Sequence, residues 1–257
     1  MESPSPTKVE LPTSFEEVSI DDLVELIADM LQRLMSHNDK IPLLPENLSR
    51  FHSGSVPHIS VLDYLKRIVQ YTNVEKACLL LTLNYIDLIS TRMPTFIFTS
   101  LVCHRFLIAA ITASSKGLCD AFCTNQLYAK VGGITVTELN CLEQEFLSAV
   151  DWHLVCARDM LNEYYINLVR TNGSGRFALA GDTPQGGSDN DVDLDSVMSR
   201  DSSPDIPIRH VSSETPAPTI QASPEGVPRA TLEQNMAFAA LRQSQHQLHS
   251  SPYQQLN

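Results

Sequence analysis

The chain has 257 residues, enough for one or two domains, with 43% hydrophobic residues and a formal net charge of −12. Binding a phosphate backbone needs clustered Lys and Arg, so this acidity excludes nucleic acid as the main partner. No basic amphipathic segment suits a membrane surface. Apolar and aromatic residues concentrate before about Arg170, whereas residues 171–228 are rich in Ser, Pro, Gly and Asp. Such a stretch cannot bury enough apolar area to offset its ordering entropy.

Residues 1–18 are Pro- and Ser-rich at their start and are expected to be disordered. The opening Met-Glu-Ser-Pro-Ser-Pro has neither a basic start nor an apolar core, so it does not read as a signal peptide. Residues 19–50 form a helix and linker. Ser19 is placed to cap the helix, Asp21 and Asp22 suit its first turn, and Leu23, Leu26, Ile27, Met30, Leu31 and Leu34 follow at helical spacing. Pro42 and Pro45 then prevent its continuation.

A second helix is predicted from about Ile59 to Tyr71, and a third, almost wholly apolar, from about Val74 to Ser90. A fourth is capped by Thr99 or Ser100 and runs to about Ser115, with Gly117 as its C-cap. A helix that is apolar nearly all round must be surrounded by others, so the third and fourth form the centre, with Leu81 and Ile108 buried. The run from Phe96 to Ala113 is long enough to suggest a membrane span. His104 and Arg105 argue against one, since a central Arg costs roughly 2.5–3.5 kcal/mol.

A short fifth helix covers about Thr124 to Val131 and is broken by Gly132-Gly133. Thr135 with Glu138 reads as a capping box that opens a sixth helix. A last helix is expected over about Ala157 to Val169, within a flanking segment 156–170. Residues 171–257 are read as a low-complexity, disordered tail in which 231–249 has weak helical character.

Enzyme signatures fail. There is no GxGxxG, Walker, GxSxG or HExxH pattern. The acidic string from Asp189 to Asp195 has Leu194 and Arg200 where a calcium loop needs Gly and Glu. Cys119, Cys123 and His104 fit no common zinc spacing, so the six cysteines read as buried, reduced thiols of an intracellular protein. No cofactor, metal or small-molecule substrate is expected.

A specific resemblance emerges from several strings together. These are His58-Ile-Ser-Val-Leu-Asp-Tyr-Leu-Lys-Arg-Ile-Val-Gln-Tyr71, Leu83-Asn-Tyr-Ile-Asp87, Val102-Cys-His-Arg-Phe-Leu-Ile-Ala-Ala110, Ser115-Lys-Gly-Leu-Cys-Asp120, Asn125-Gln-Leu-Tyr-Ala-Lys-Val-Gly-Gly-Ile134, Glu138-Leu-Asn-Cys-Leu-Glu-Gln-Glu-Phe-Leu147 and Trp152. Over about Phe51 to Leu154 the chain resembles the P-type, phosphate-regulon cyclins and their relatives, the plant U-type cyclins. The resemblance implies an all-α fold: a single five-helix cyclin box at 51–155 with an N-terminal flanking helix and a disordered C-terminal tail. It also implies a non-enzymatic regulatory subunit that binds and activates a cyclin-dependent kinase in the nucleus or cytoplasm and helps set its substrate choice. The alternative is a cyclin-fold adaptor that binds no kinase. Phosphate, glycogen and cell-cycle pathways are not distinguished.

By the same resemblance, Lys116 and Glu143 are kinase-binding residues, expected at surface positions on helix ends. Without it, both read as ordinary solvated charges. Asp87 lies in a nearly all-apolar helix and needs a partner, which Arg67 or Arg105 supplies as a structural buried charge. Many cell-cycle cyclins recruit substrates through Met-Arg-Ala-Ile-Leu on the first box helix. The matching stretch here, Tyr64-Leu-Lys-Arg-Ile68, departs from that pattern. Proline-directed sites flank the box, and Ser3, Ser5, Ser203 and Ser223 are the candidate phosphosites, Ser5 with a following Lys8.

Overall fold

The two most apolar segments become neighbouring helices at the centre of a computed structural model, which describes residues 8–181. The elements run β1 (Val9–Leu11), α1 (Ile20–Asn38), α2 (Val61–Thr72), α3 (Lys76–Arg92), α4 (Cys103–Leu118), α5 (Asn125–Gly132), α6 (Val136–Ala149), α7 (Arg158–Thr171) and β2 (Phe177–Leu179). Every residue of α4 from Cys103 to Ser115 except Arg105 is buried, and α3 is buried at ten positions between Cys78 and Ser90. Helix α4 packs against α2, α3, α5 and α6, while α1 packs on α2, α3 and α7. Leu81 and Ile108 are both buried, as their all-apolar surroundings in sequence require. Phe106 anchors the centre, with ring centroids 5.4 Å from Phe98, 5.6 Å from Phe51 and 5.7 Å from Phe146.

Local signals set most helix starts. Ser19 Oγ accepts from the Asp22 amide at 3.1 Å, Ser60 Oγ from Asp63 at 3.0 Å, and Thr135 Oγ1 from Glu138 at 3.1 Å. Each satisfies an amide that the helix itself leaves without an acceptor. The capping box at Thr135 is only half formed, because the Glu138 carboxylate pairs with Arg105 instead of turning back. Neither Thr99 nor Ser100 caps α4, which starts from Val102. Gly117 is not its C-cap: it lies inside the last turn, and Cys119 caps the helix. A Cβ at Gly117 would meet Leu154 Cδ1 at 2.8 Å, so a larger residue here would have to push that side chain aside. Gly133 does take the left-handed conformation, with φ 72°, just past α5.

Two boundaries differ from the sequence expectation. The segment before residue 19 is ordered from residue 8: Leu11, Phe15 and Val18 are buried, and Tyr165 Oη donates to Pro12 O at 2.7 Å. Likewise the folded region continues past Arg170. Strand β2 pairs in parallel with β1, Val9 against Phe177 and Leu11 against Leu179. The helical class stands, with this two-stranded sheet added beside α7. Ending the chain after Arg170 is therefore expected to be destabilising relative to ending it after Gly181. Phe177 and Leu179 are buried, and each such side chain is worth about 1.5–3 kcal/mol. Thermal melts of the two truncations followed by circular dichroism measure the difference.

No helix among the described residues is long and apolar enough to cross a membrane. The stretch from Phe96 is interrupted, since helix α4 begins only at Cys103. Ser3, Ser5, Ser203, Ser223, the acidic string at 189–195 and the segment 231–249 lie outside the described residues.

Candidate functional site

Lys116 and Glu143 meet where α4, α5 and α6 converge. Lys116 occupies the last turn of α4, where a cation is favoured by the helix dipole. Its ammonium reaches both oxygens of Glu143, at 2.7 and 2.9 Å. Asn125, the first residue of α5, accepts from Lys116 Nζ at 3.3 Å and donates to Glu143 Oε2 at 3.0 Å. The Asn125 amide also donates to Asn140 Oδ1 at 2.7 Å. Bidentate pairing and a shared amide bridge fix both charges in one orientation.

The expectation of two surface charges on helix ends holds only for Lys116, whose side chain is 34% exposed. Glu143 sits in the middle of α6 and is buried at 9% exposure, because α6 lies against α4. Asn125, which opens one of the strings that carry the resemblance but has no role assigned from sequence, completes the cluster.

Exposed apolar side chains occur on the segments around this cluster. Leu118 and Phe122 follow Lys116, and Trp152 and Val155, at 71% and 77% exposure, lie on the segment after α6. That segment is held down by Leu154, whose carbonyl accepts from Tyr85 Oη at 2.7 Å and whose side chain covers Gly117. Asp151 and Trp152 both have left-handed backbones, with φ 54° and 62°. Such conformations cost non-glycine residues on the order of 1 kcal/mol or more and persist only where the surroundings impose them. Here Arg92 grips Asp151 at 3.1 Å, and the Trp152 amide donates to Leu147 O at 2.9 Å. The result holds the backbone of this turn and leaves the Trp152 indole exposed. In sequence Trp152 is one of the residues that carry the resemblance, with no role assigned to it; its exposure comes from this turn.

The buried-charge assignment needs correction. Asp87 pairs with neither arginine. Tyr164 of α7 donates to Asp87 Oδ2 at 2.6 Å, and burial together with the neighbouring carboxylate pushes the phenol well above its ordinary range. Arg67 is exposed and donates to Lys130 O at 3.2 Å. Arg105 is half-buried and paired with Glu138. Arg67 lies on the outer side of α2 and Arg105 is taken by α6, whereas α7 supplies Asp87 with a partner in Tyr164. In the stretch that departs from the recruitment pattern, Tyr64, Leu65 and Ile68 are buried, so only Lys66 and Arg67 face outward. Nor do Cys119, Cys123 and His104 converge: Cys119 touches Cys78, Cys123 donates to Thr72 O, and His104 bonds Ile59 O.

The arrangement is a helical module with a polar cluster where three helices meet and exposed apolar side chains on the segments that follow α4 and α6. The family model for Cyclin matches residues 21–154, taking in α1 as well as the expected box, and the chain belongs to the cyclin family. It is 46% identical over 158 residues to the Nuc-1 negative regulatory protein preg of Neurospora crassa, covering 60% of this chain and 33% of that one. It is 42% identical over 152 residues to the PHO85 cyclin PHO80 of Saccharomyces cerevisiae, covering 58% and 52%. With Cyclin-U4-1 of Arabidopsis thaliana it shares 32% identity over 146 residues, covering 56% and 72%. The chain thus spans about a third and about a half of the length of the first two relatives.

Proposed function

We propose that this chain is the regulatory subunit of a cyclin-dependent kinase of the kind served by the PHO85 cyclins. In this reading it is not an enzyme. It holds the kinase's mobile regulatory helix through Lys116 and Glu143, with Trp152, Val155, Phe122 and Leu118 as the apolar part of the contact. The observation that carries the reading is the Lys116–Glu143–Asn125 cluster, preorganised where three helices meet. A lysine donor and a glutamate acceptor in fixed register suit the exposed backbone groups at the end of a partner helix. All six cysteines are free thiols, which supports an intracellular site of action, nuclear or cytoplasmic. Nucleic acid, membrane and small-molecule substrates are no part of the reading.

Affinity purification of the tagged full-length chain is expected to bring down a cyclin-dependent kinase in near-equal amount. Recovery of other proteins without a kinase would establish the adaptor alternative. Trp152→Ala is expected to weaken the purified complex by about 2–4 kcal/mol, the range of an interfacial hot spot. It should leave the melting temperature of the free chain unchanged, because the indole is 71% exposed. Isothermal titration with the kinase measures the first effect and calorimetric melting the second. The same reading makes Ser5, followed by Pro6, Thr7 and Lys8, a target of the bound kinase. Phosphopeptide mass spectrometry of the reconstituted complex tests it, and an unmodified Ser5 removes the assignment.

A further inference from the structure

The cysteines are not needed by the function proposed above, and two of them touch. Cys78 lies in the first turn of α3 and Cys119 is the residue that caps α4. Their sulfurs are 3.6 Å apart. Cys78 is fully buried, whereas Cys119 is only partly so. A disulfide needs the sulfurs at about 2.0 Å, so an approach of about 1.6 Å closes the gap. The backbone on the Cys119 side suits that movement: α4 has ended, and residues 119–124 form an irregular connection to α5.

We infer that Cys78 and Cys119 are a redox modification site, oxidised by peroxide to an intramolecular disulfide that ties the start of α3 to the end of α4. The partly exposed Cys119 reacts first. Its sulfur takes one oxygen from hydrogen peroxide to give the sulfenic acid and one water. The Cys78 sulfur then attacks Cys119 Sγ, the S–O bond breaks, and the hydroxide leaves with the Cys78 proton as a second water. In sum, two thiols and one hydrogen peroxide give one disulfide and two waters. Peroxide is the oxidant and gains the two electrons that the thiols lose.

Burial, with Cys78 and Glu75 beside it, pushes the Cys119 thiol up to about 12. The thiol is therefore protonated at neutral pH, and reaction requires sustained peroxide rather than a brief pulse. Proximity, not thiolate character, makes the pair selective. Cys123 is engaged elsewhere, donating to Thr72 O at 3.4 Å.

The test uses the purified full-length chain without a kinase, so its outcome is independent of the kinase-binding reading. Reduced protein is incubated with hydrogen peroxide, alkylated without reduction, digested and analysed by mass spectrometry. The expected result is a linked peptide pair containing Cys78 and Cys119, released by dithiothreitol. It should persist in Cys123→Ser and vanish in Cys119→Ser, a variant chosen because Cys119 is the less buried partner. A Cys119 sulfinic acid beside an unmodified Cys78 would overturn the inference, as would a Cys119–Cys123 linkage or no linkage at all.

Discussion

Glu143→Lys is expected to abolish kinase capture and, in addition, to destabilise the free chain. The substitution sets a second ammonium against Lys116 at a position that is 9% exposed, leaving Asn125 Oδ1 as an acceptor between two cations. Breaking a fully buried pair costs about 3–5 kcal/mol. Lys116 has a side chain one-third exposed and turns partly into water, which brings the cost below that range. Lys116→Glu should also destabilise the chain, because it leaves the buried Glu143 carboxylate without its cation and sets a second carboxylate beside it. The two effects separate in the double variant Lys116→Glu/Glu143→Lys. It restores an internal ion pair, so stability measured by urea unfolding should recover. Binding measured by pull-down should not, since donor and acceptor have exchanged places relative to the partner. A double variant that captures the kinase at the wild-type level would end the contact role for this pair.

Ile108→Ala is expected to lower stability by about 2–5 kcal/mol, the range for deleting a buried aliphatic side chain. Ile108 is at 0% exposure on the central helix, and Leu81→Ala on α3, at 2%, should behave alike. The site also makes a specific coupling. A Cβ at Gly132 would meet Ile108 Cγ1 at 2.9 Å. Gly132→Ala alone should therefore cost roughly 1–3 kcal/mol through overpacking. In the Ile108→Ala background that methyl group enters the space the isoleucine vacated, and the cost of Gly132→Ala should fall. Denaturant unfolding of the four proteins in the cycle reads the coupling directly. Strict additivity would show that α4 and α5 do not press together at this point.

The amino-acid sequence by itself determined what depends on near neighbours. Ser19, Ser60 and Thr135 cap helices because each side chain reaches an amide three residues on. The burial of α3 and α4 follows from their lack of a polar face, which leaves them no place but the centre. Lys116 and Glu143 were singled out only through the family resemblance, and nothing local in either stretch announces that they pair with each other.

Tertiary structure alone decided the contacts between residues far apart in the chain. Asp87 takes Tyr164 rather than Arg67 or Arg105, because α7 and not the outer side of α2 comes against α3. Val9–Leu11 and Phe177–Leu179 become strands only by pairing across the whole domain, and three residues alone carry too little pattern to show it. Glu143 is buried because α6 packs on α4, and Trp152 is exposed because two left-handed residues turn it outward. Cys78 and Cys119 meet because the start of α3 comes to lie beside the end of α4. Caps and apolar periodicity act over one or two helical turns, whereas these contacts depend on how whole helices are placed, which no short window of sequence encodes.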